Sequence, residues 1–357
     1  MGWPGEDLLI RLVELIEKSG TGLIRPWQIT RTSSAETAAT AHRLIAIAAA
    51  EAQIVKLKET AQTRSSATLL IEGDPVNSPT TKVEPIFDIV DFEQRITTTQ
   101  KLEYLRKEVN VEKAITHAEK LLREDPSIPP EKEIDTDWFY RWRDSAGGMS
   151  SESMQQLWGH VLAGELKAPG AFSYRTMDFL RSISQDEADL IERLAAVTTE
   201  KGYVIYGRTW AKLGLPEEIK NGLPGNELSM LEELGILSGV STMGYRDNAP
   251  PFPAPDGRYL HLLVVCQNRG LIAYTTDPTK TTKLSFYQLT KLGRSLMSLI
   301  QTPAKETFLR SLGEVLARAD FKVFIADIID TPTSRAGENE VEIFPPTAEI
   351  VGSPPDA

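Results

Sequence analysis

One cysteine in 357 residues, Cys266, excludes an internal disulfide framework and a multi-cysteine metal site. It ends the apolar run Leu262–Cys266, which reads as a strand with a buried thiol. Histidine is scarce too: His42, His117, His160 and His261 stand far apart, with no metal-ligand spacing. No apolar run approaches the roughly 18 residues that span a bilayer. The N-terminus MGWPGEDLL carries acidic residues where a secretory signal carries basic ones, so a cytoplasmic protein is expected. Also missing are H-E-x-x-H, C-x-x-C, a Walker loop, G-x-G-x-x-G and G-x-S-x-G. With none of these, the expectation is a non-enzymatic protein without cofactor or small-molecule substrate.

What is present is an ordinary globular composition, 41% hydrophobic and 25% charged, with a net charge of −11. That balance disfavours non-specific adhesion to nucleic acid or anionic membranes. The charge is uneven, however. Residues 201–310 hold 13 Lys and Arg against 9 Asp and Glu, while the rest of the chain is net negative. Within this block Lys212, Lys220, Arg269, Lys280 and Lys283 are candidate nucleic-acid contacts, joined by Lys201, Arg208 and Arg294.

The densest apolar patterning lies between Trp138 and Leu194, which contains three of the six tryptophans. Ser150 and Ser151 stand at a helix N-cap position, followed by Glu152 in the first turn. Met154, Leu157, Trp158, Val161, Leu162 and Leu166 then fall three and four apart, on one helix face. Pro169-Gly170 stops that helix, and Ser173 starts a short one with Met177, Leu180 and Ile183 inward. Ser184-Gln185-Asp186-Glu187 is a capping box for a third. Short joints between the three predict a compact antiparallel unit.

The run LWGHVLAGELKAPGAFSYRTMDFLRSISQDEADL resembles a bacterial and prophage family, domain-of-unknown-function family 2806. The likeness rests on Leu157, Trp158, Gly159, Leu162–Glu165, Pro169, Gly170, Phe172, Ser173, Arg175, Thr176, Leu180, Ser184, Glu187 and Ala188. A more distant likeness is to alpha-type abortive-infection proteins. Neither brings a catalytic residue; together they imply a setting in phage conflict or defence.

Before that stretch, Gly5–Lys18 forms an amphipathic helix, and an Ala-rich helix is predicted from about Ser34 to Thr63. Its thin seam of Leu44, Ile47, Ile54, Val55 and Leu57 suits helix pairing, coiled-coil formation or self-association. The first helix is a candidate peripheral membrane or partner anchor, although packing on the protein's own core is the commoner use of such a stripe. The expected division is 1–65 for these helices, 66–85 a linker, and 86–197 a central helical domain. Residues 198–310 form a winged-helix-like α+β module, 311–330 a helix and strand extension, and 331–357 a disordered tail. The module is read from the strand Tyr203–Tyr206, the helix LSMLEELGIL, the hairpin Leu260–Gln267 with Gly270–Tyr274, and the closing LTKLGRSL. The fold class is therefore mainly α, with helical N-terminal and central regions followed by a smaller α+β module.

Candidate side chains are few. Trp158, Glu165 and Arg175 are read as structural or partner contacts, Arg175 as one member of a salt bridge at the helix joint. Glu165-Leu166-Lys167 with Asp144 resembles the set of a metal-dependent nuclease, but that chemistry needs both groups on a strand and this segment is helical. Asp320, Asp327 and Asp330 flank an apolar segment without a fixed geometry. The functional expectation is a helical interaction protein with a protein partner or self-association. A DNA-binding regulator and a membrane-active effector are the alternatives.

Overall fold

Leu8, Leu9, Leu12, Leu15 and Ile16 recur at helical spacing in α1 (Glu6–Lys18), and all five are buried. Glu6 and Asp7 in the first turn and Lys18 in the last complement the helix dipole. The computed structural model describes residues 4–18, 44–60, 89–206, 223–242, 244–247, 252–253, 259–267, 269–279, 284–318, 321–327 and 349–350. The chain divides into two units, Met1–Arg181 and Ser182–Ala357.

In the first unit, residues 44–60 form α2, followed by α3 (Ile89–Arg123), α4 (Thr136–Gly147), α5 (Glu152–Lys167) and α6 (Tyr174–Ser182). At about 1.5 Å per residue, the 35 residues of α3 span roughly 50 Å. Its C-terminal half is the hub against which α1, α4 and α5 pack. There Val109, Val111, Ala114, Ile115, Ala118 and Leu122 are all buried. Ile47 and Ala50 of α2 pack on Val109, and Glu51 accepts an ion pair from Lys113 at 2.6 Å. Asp135 caps α4 and Ser151 caps α5. The helix cap expected at Ser150–Ser151 is thus Ser151, whose side chain accepts from the Met154 amide.

The expected antiparallel trio is corrected in one respect. The main partner of α5 is α3, from far upstream, and the third helix of the trio falls in the second unit. The reason is Gly159. A Cβ there would stand 2.6 Å from the Cβ of His117 and 2.8 Å from the carbonyl oxygen of Ala114, so only glycine lets the two helices approach this closely.

In the second unit, α7 (Gln185–Ala195) opens with the capping box read from the sequence: the Ser184 side chain accepts from the Glu187 amide, and Glu187 answers to the Ser184 backbone. Then come β1 (Tyr203–Ile205), α8 (Gly225–Glu233), β2 (Leu237–Ser238), β3 (Tyr245–Asp247), β4 (Phe252–Pro253), β5 (Tyr259–Cys266), β6 (Arg269–Thr275), β7 (Leu284–Leu289), α9 (Lys291–Met297), α10 (Glu306–Arg318), β8 (Lys322–Asp327) and β9 (Glu349–Ile350). One antiparallel sheet is centred on β7, with β1 on one edge and β2 and β3 sharing the other. The second runs β4-β5-β6-β8-β9.

The hairpin β5–β6, expected beside the first sheet, belongs to this second one. It continues into β8 from the expected extension, and into Glu349–Ile350 from the expected disordered tail. Consecutive Leu271, Ile272 and Ala273 are all buried, so neither face of β6 is left as a solvated ribbon. Helix α10, with Leu309, Leu312 and Leu316 buried, packs on β6 and β8.

Candidate functional site

The motif-bearing segment of the first unit is built from three tryptophans and one carboxylate. Trp138, Trp142 and Trp158 are buried. The Trp142 Nε1–H donates to the Trp158 carbonyl at 2.9 Å, and the Trp138 Nε1–H donates to the Phe172 carbonyl at 2.6 Å. The Trp158 Nε1 is buried with no hydrogen-bond partner among the described residues.

Glu165 is equally buried, at 3% exposure, and its carboxylate accepts from the Gly170 amide at 2.5 Å and the Phe172 amide at 2.9 Å. Burial raises its pKa, against the opposing pull of those amides and of Lys132. Gly170 supplies the left-handed φ of +99° that the turn requires. At Gly164, a Cβ would meet the Phe172 ring at 2.7 Å. These residues are thus consumed in holding the α5–α6 turn against α4. Their chemistry is that of a closed polar core.

Arg175 lies outside that core. It is exposed on the first turn of α6 and makes no ion pair among the described residues. The expected joint salt bridge is not formed, because Glu165 has turned to the backbone. The neighbouring Arg141 instead sits 5.0 Å above the Tyr174 ring and 3.4 Å from Asp178.

The nuclease-like set is not assembled. Glu165 faces the turn, Lys167 pairs with Asp125 at 2.9 Å, and Asp144 is exposed. Among the described residues no group of three or more His, Cys, Asp or Glu could hold a metal ion. Asp320 and Asp330 lie outside the described residues, and Asp327 stands opposite Arg269 in the β6–β8 register.

Sequence spacing missed two features. His117 and His160, 43 residues apart in sequence, are brought near each other by the α3–α5 contact, where the His117 Cβ lies against Gly159. Burial lowers the His117 pKa; Glu152 opposes this, and Lys120 and His160 add to it. The visible signal was Gly159 beside His160, a glycine inside a helical apolar stripe. The second is a buried polar network on α3. Asn110 donates to the Gly147 carbonyl at 2.8 Å and accepts from the Gln155 amide at 3.2 Å, while Arg143 pairs with the buried Glu108. Polar residues in a helix read as surface until the fold surrounds them.

In the second unit, Lys212, Lys220, Lys280 and Lys283 lie outside the described residues, and Arg269 is half-buried in β6. Arg294 donates to the Lys201 carbonyl at 3.0 Å, and Arg193 forms a bidentate pair with Glu227 at 2.7 and 2.9 Å. Helix α8 carries Glu227, Glu232 and Glu233 and no basic residue. The Glu232 carboxylate accepts from the Gly239, Val240 and Ser241 amides at 2.7–2.8 Å. Cys266 is fully buried and its pKa is pushed up to about 12 by burial, so its thiol stays protonated.

The family model described as a protein of unknown function, DUF2806, matches residues 94–313. The chain belongs to that family. The matched span begins within α3 and ends within α10, so it takes in residues of both units. No curated protein and no solved structure matches the chain.

Two contact surfaces remain. The apolar stripe of α1 is occupied, with Leu8 and Leu12 at 0% exposure within the first unit, so the face that a membrane would take is covered. Among the described residues no helix is long and apolar enough to cross a membrane. The N-terminal half of α3 differs: no residue from Phe92 to Lys107 is buried. A groove of about 530 Å³ there is lined by Phe92, Arg95, Ile96, Thr99 and Gln100.

Proposed function

We propose that this chain is a non-enzymatic helical interaction protein, acting in a bacterial phage-defence or prophage-conflict setting, whose C-terminal unit presents a winged-helix-like face to protein. The order α7, β1, α8, β2, β7 and the antiparallel sheet with β7 between β1 and β2 support the winged-helix part of this reading. In such modules the helix preceding the wing strands enters the major groove. The observation that carries the choice of protein over DNA is the outer face of α8. Gly225, Asn226, Ser229, Met230 and Glu233 are its exposed residues, one stripe at helical spacing. A duplex carries about one negative charge per 1.7 Å, and this helix offers no cation to meet it.

The test is fluorescence anisotropy of a labelled duplex titrated with the full chain at about 50 mM salt, where phosphate-driven binding is strongest. The expected result is no binding at micromolar protein. Sub-micromolar binding that collapses on raising the salt would overturn the reading and favour a DNA-binding regulator, to which the net-positive block of residues 201–310 would then contribute.

A further inference from the structure

We infer that the outer edge of β8 is a strand-docking site, filled in cis by the C-terminal segment Thr347–Gly352. This goes beyond the winged-helix-like face and names a second contact surface, on the other sheet of the same unit. β8 pairs with β6 along all six of its residues, Lys322–Asp327, with no shift of register. Its middle belongs to the core, with Val323, Ile325 and Ala326 buried. Natural sheets blunt their edges with charge, proline, bulges or very short strands. The opposite edge of this sheet does so: β4 is the dipeptide Phe252-Pro253, and the β5–β6 register shifts between Leu260 and Leu262. β8 has no such device, and its charges stand only at its two ends. Yet among the described residues only Glu349 and Ile350 pair on its outer side.

The C-terminal sequence supplies a strand long enough to cover the rest. Pro345-Pro346 and Pro354-Pro355 bracket the run TAEIVGS. Proline has no N–H to give to a ladder, so pairing ends at each bracket. Ile350 stands opposite Phe324, and Glu349 opposite Ile325. Continued in both directions, that antiparallel register sets Thr347 against Asp327 and Gly352 against Lys322. These are the two ends of β8, so the bracketed run covers its edge from one end to the other. The connection, residues 328–346, is long. Closing a long loop costs little more than closing a short one, and it lets the strand leave and return. In such strand addition main-chain hydrogen bonds give affinity and alternate side chains give specificity.

The experiment uses the full chain. In hydrogen exchange the amides of Glu349–Gly352 should exchange at least tenfold more slowly than in a free peptide of residues 345–355. Of two successive residues in a strand, one N–H faces the neighbour, so the double variant E349P/I350P removes it in either case. The labelled peptide should then bind this variant at least tenfold more tightly than the native chain, whose own tail competes at millimolar effective concentration. Tail amides that exchange as fast as in the free peptide overturn the inference. So does a peptide that binds the variant no better than the native chain. Lys322→Cys with Gly352→Cys and a short bis-maleimide decides whose strand is bound, a clean readout because the native Cys266 is buried. An internal cross-link supports docking in cis, whereas a covalent dimer assigns the strand to a second copy and overturns it. None of these results bears on the outer face of α8, which the DNA titration tests separately.

Discussion

Replacing Gly159 with alanine sets two effects of opposite sign against each other. In the middle of a helix, glycine to alanine stabilises by about 1 kcal/mol when nothing is in the way. Here the added Cβ would lie 2.6 Å from the Cβ of His117 and 2.8 Å from the Ala114 carbonyl oxygen. Neither obstacle can rotate aside, because one is a backbone atom and the other is fixed to the backbone. To reach an ordinary contact of about 3.5 Å, α5 must withdraw from α3 by close to 1 Å. A gap of that size forfeits a quarter to a half of each dispersion well along the seam. The same helix α5 carries Trp158, Leu162 and Leu166, all fully buried, which the withdrawal would loosen.

Overpacking of this kind costs about 1–3 kcal/mol or more, and the failure to relax by rotamer places it at the upper end. The net expectation for Gly159→Ala is a loss of about 2 kcal/mol. Urea unfolding followed by tryptophan fluorescence reads the first unit, where Trp138, Trp142 and Trp158 are buried. With an m-value of about 2 kcal/mol/M the midpoint should fall by roughly 1 M. An unchanged or raised midpoint would show that the helices are not in close backbone contact, and the account of the α3–α5 seam would fail.

Other substitutions separate the roles within the same core. Glu165→Ala strands the Gly170 and Phe172 amides and should cost about 3 kcal/mol, while Glu165→Gln keeps one acceptor and should cost about half as much; equal losses in the urea midpoint would contradict the carboxylate's role. Trp142→Phe removes the donor to the Trp158 carbonyl, whereas Trp158→Phe removes an Nε1–H that bonds to none of the described residues. The first should therefore be the more damaging by about 1 kcal/mol, and the reverse order in matched melts would refute this. His117 has a lowered pKa in the folded chain, so the unfolded chain takes up the proton first as pH falls. Its contribution is complete above the unfolded value of about 6.5 and is lost as pH drops through it; His117→Gln should flatten that part of the stability profile. In flotation with anionic vesicles the full chain should stay unbound, because the apolar stripe of α1 is already buried, and co-flotation would contradict that.

Helix signals of short range were legible in the amino-acid order alone. The capping box at Ser184 and Glu187, the cap at Ser151, the stop at Pro169-Gly170 and the stripe of α1 all act between residues within about four positions of each other. The family likeness was legible for the same reason: it is carried by a continuous run of letters from Leu157 to Ala188. What the order of residues could not settle is which segments meet. α5 chose α3 over its neighbours through a glycine whose clearance exists only against a particular opposing backbone. The hairpin β5–β6 joined β8 because consecutive buried residues on β6 demand cover on both faces, a requirement met by strands and a helix further along the chain. Glu165, the acid nearest Arg175 in the helix joint, pairs with backbone instead, because desolvation makes the nearest amides its necessary company. Local order decides where helices begin and end. Which buried charge, glycine or strand edge finds a partner is decided only when distant segments exclude water from the same place.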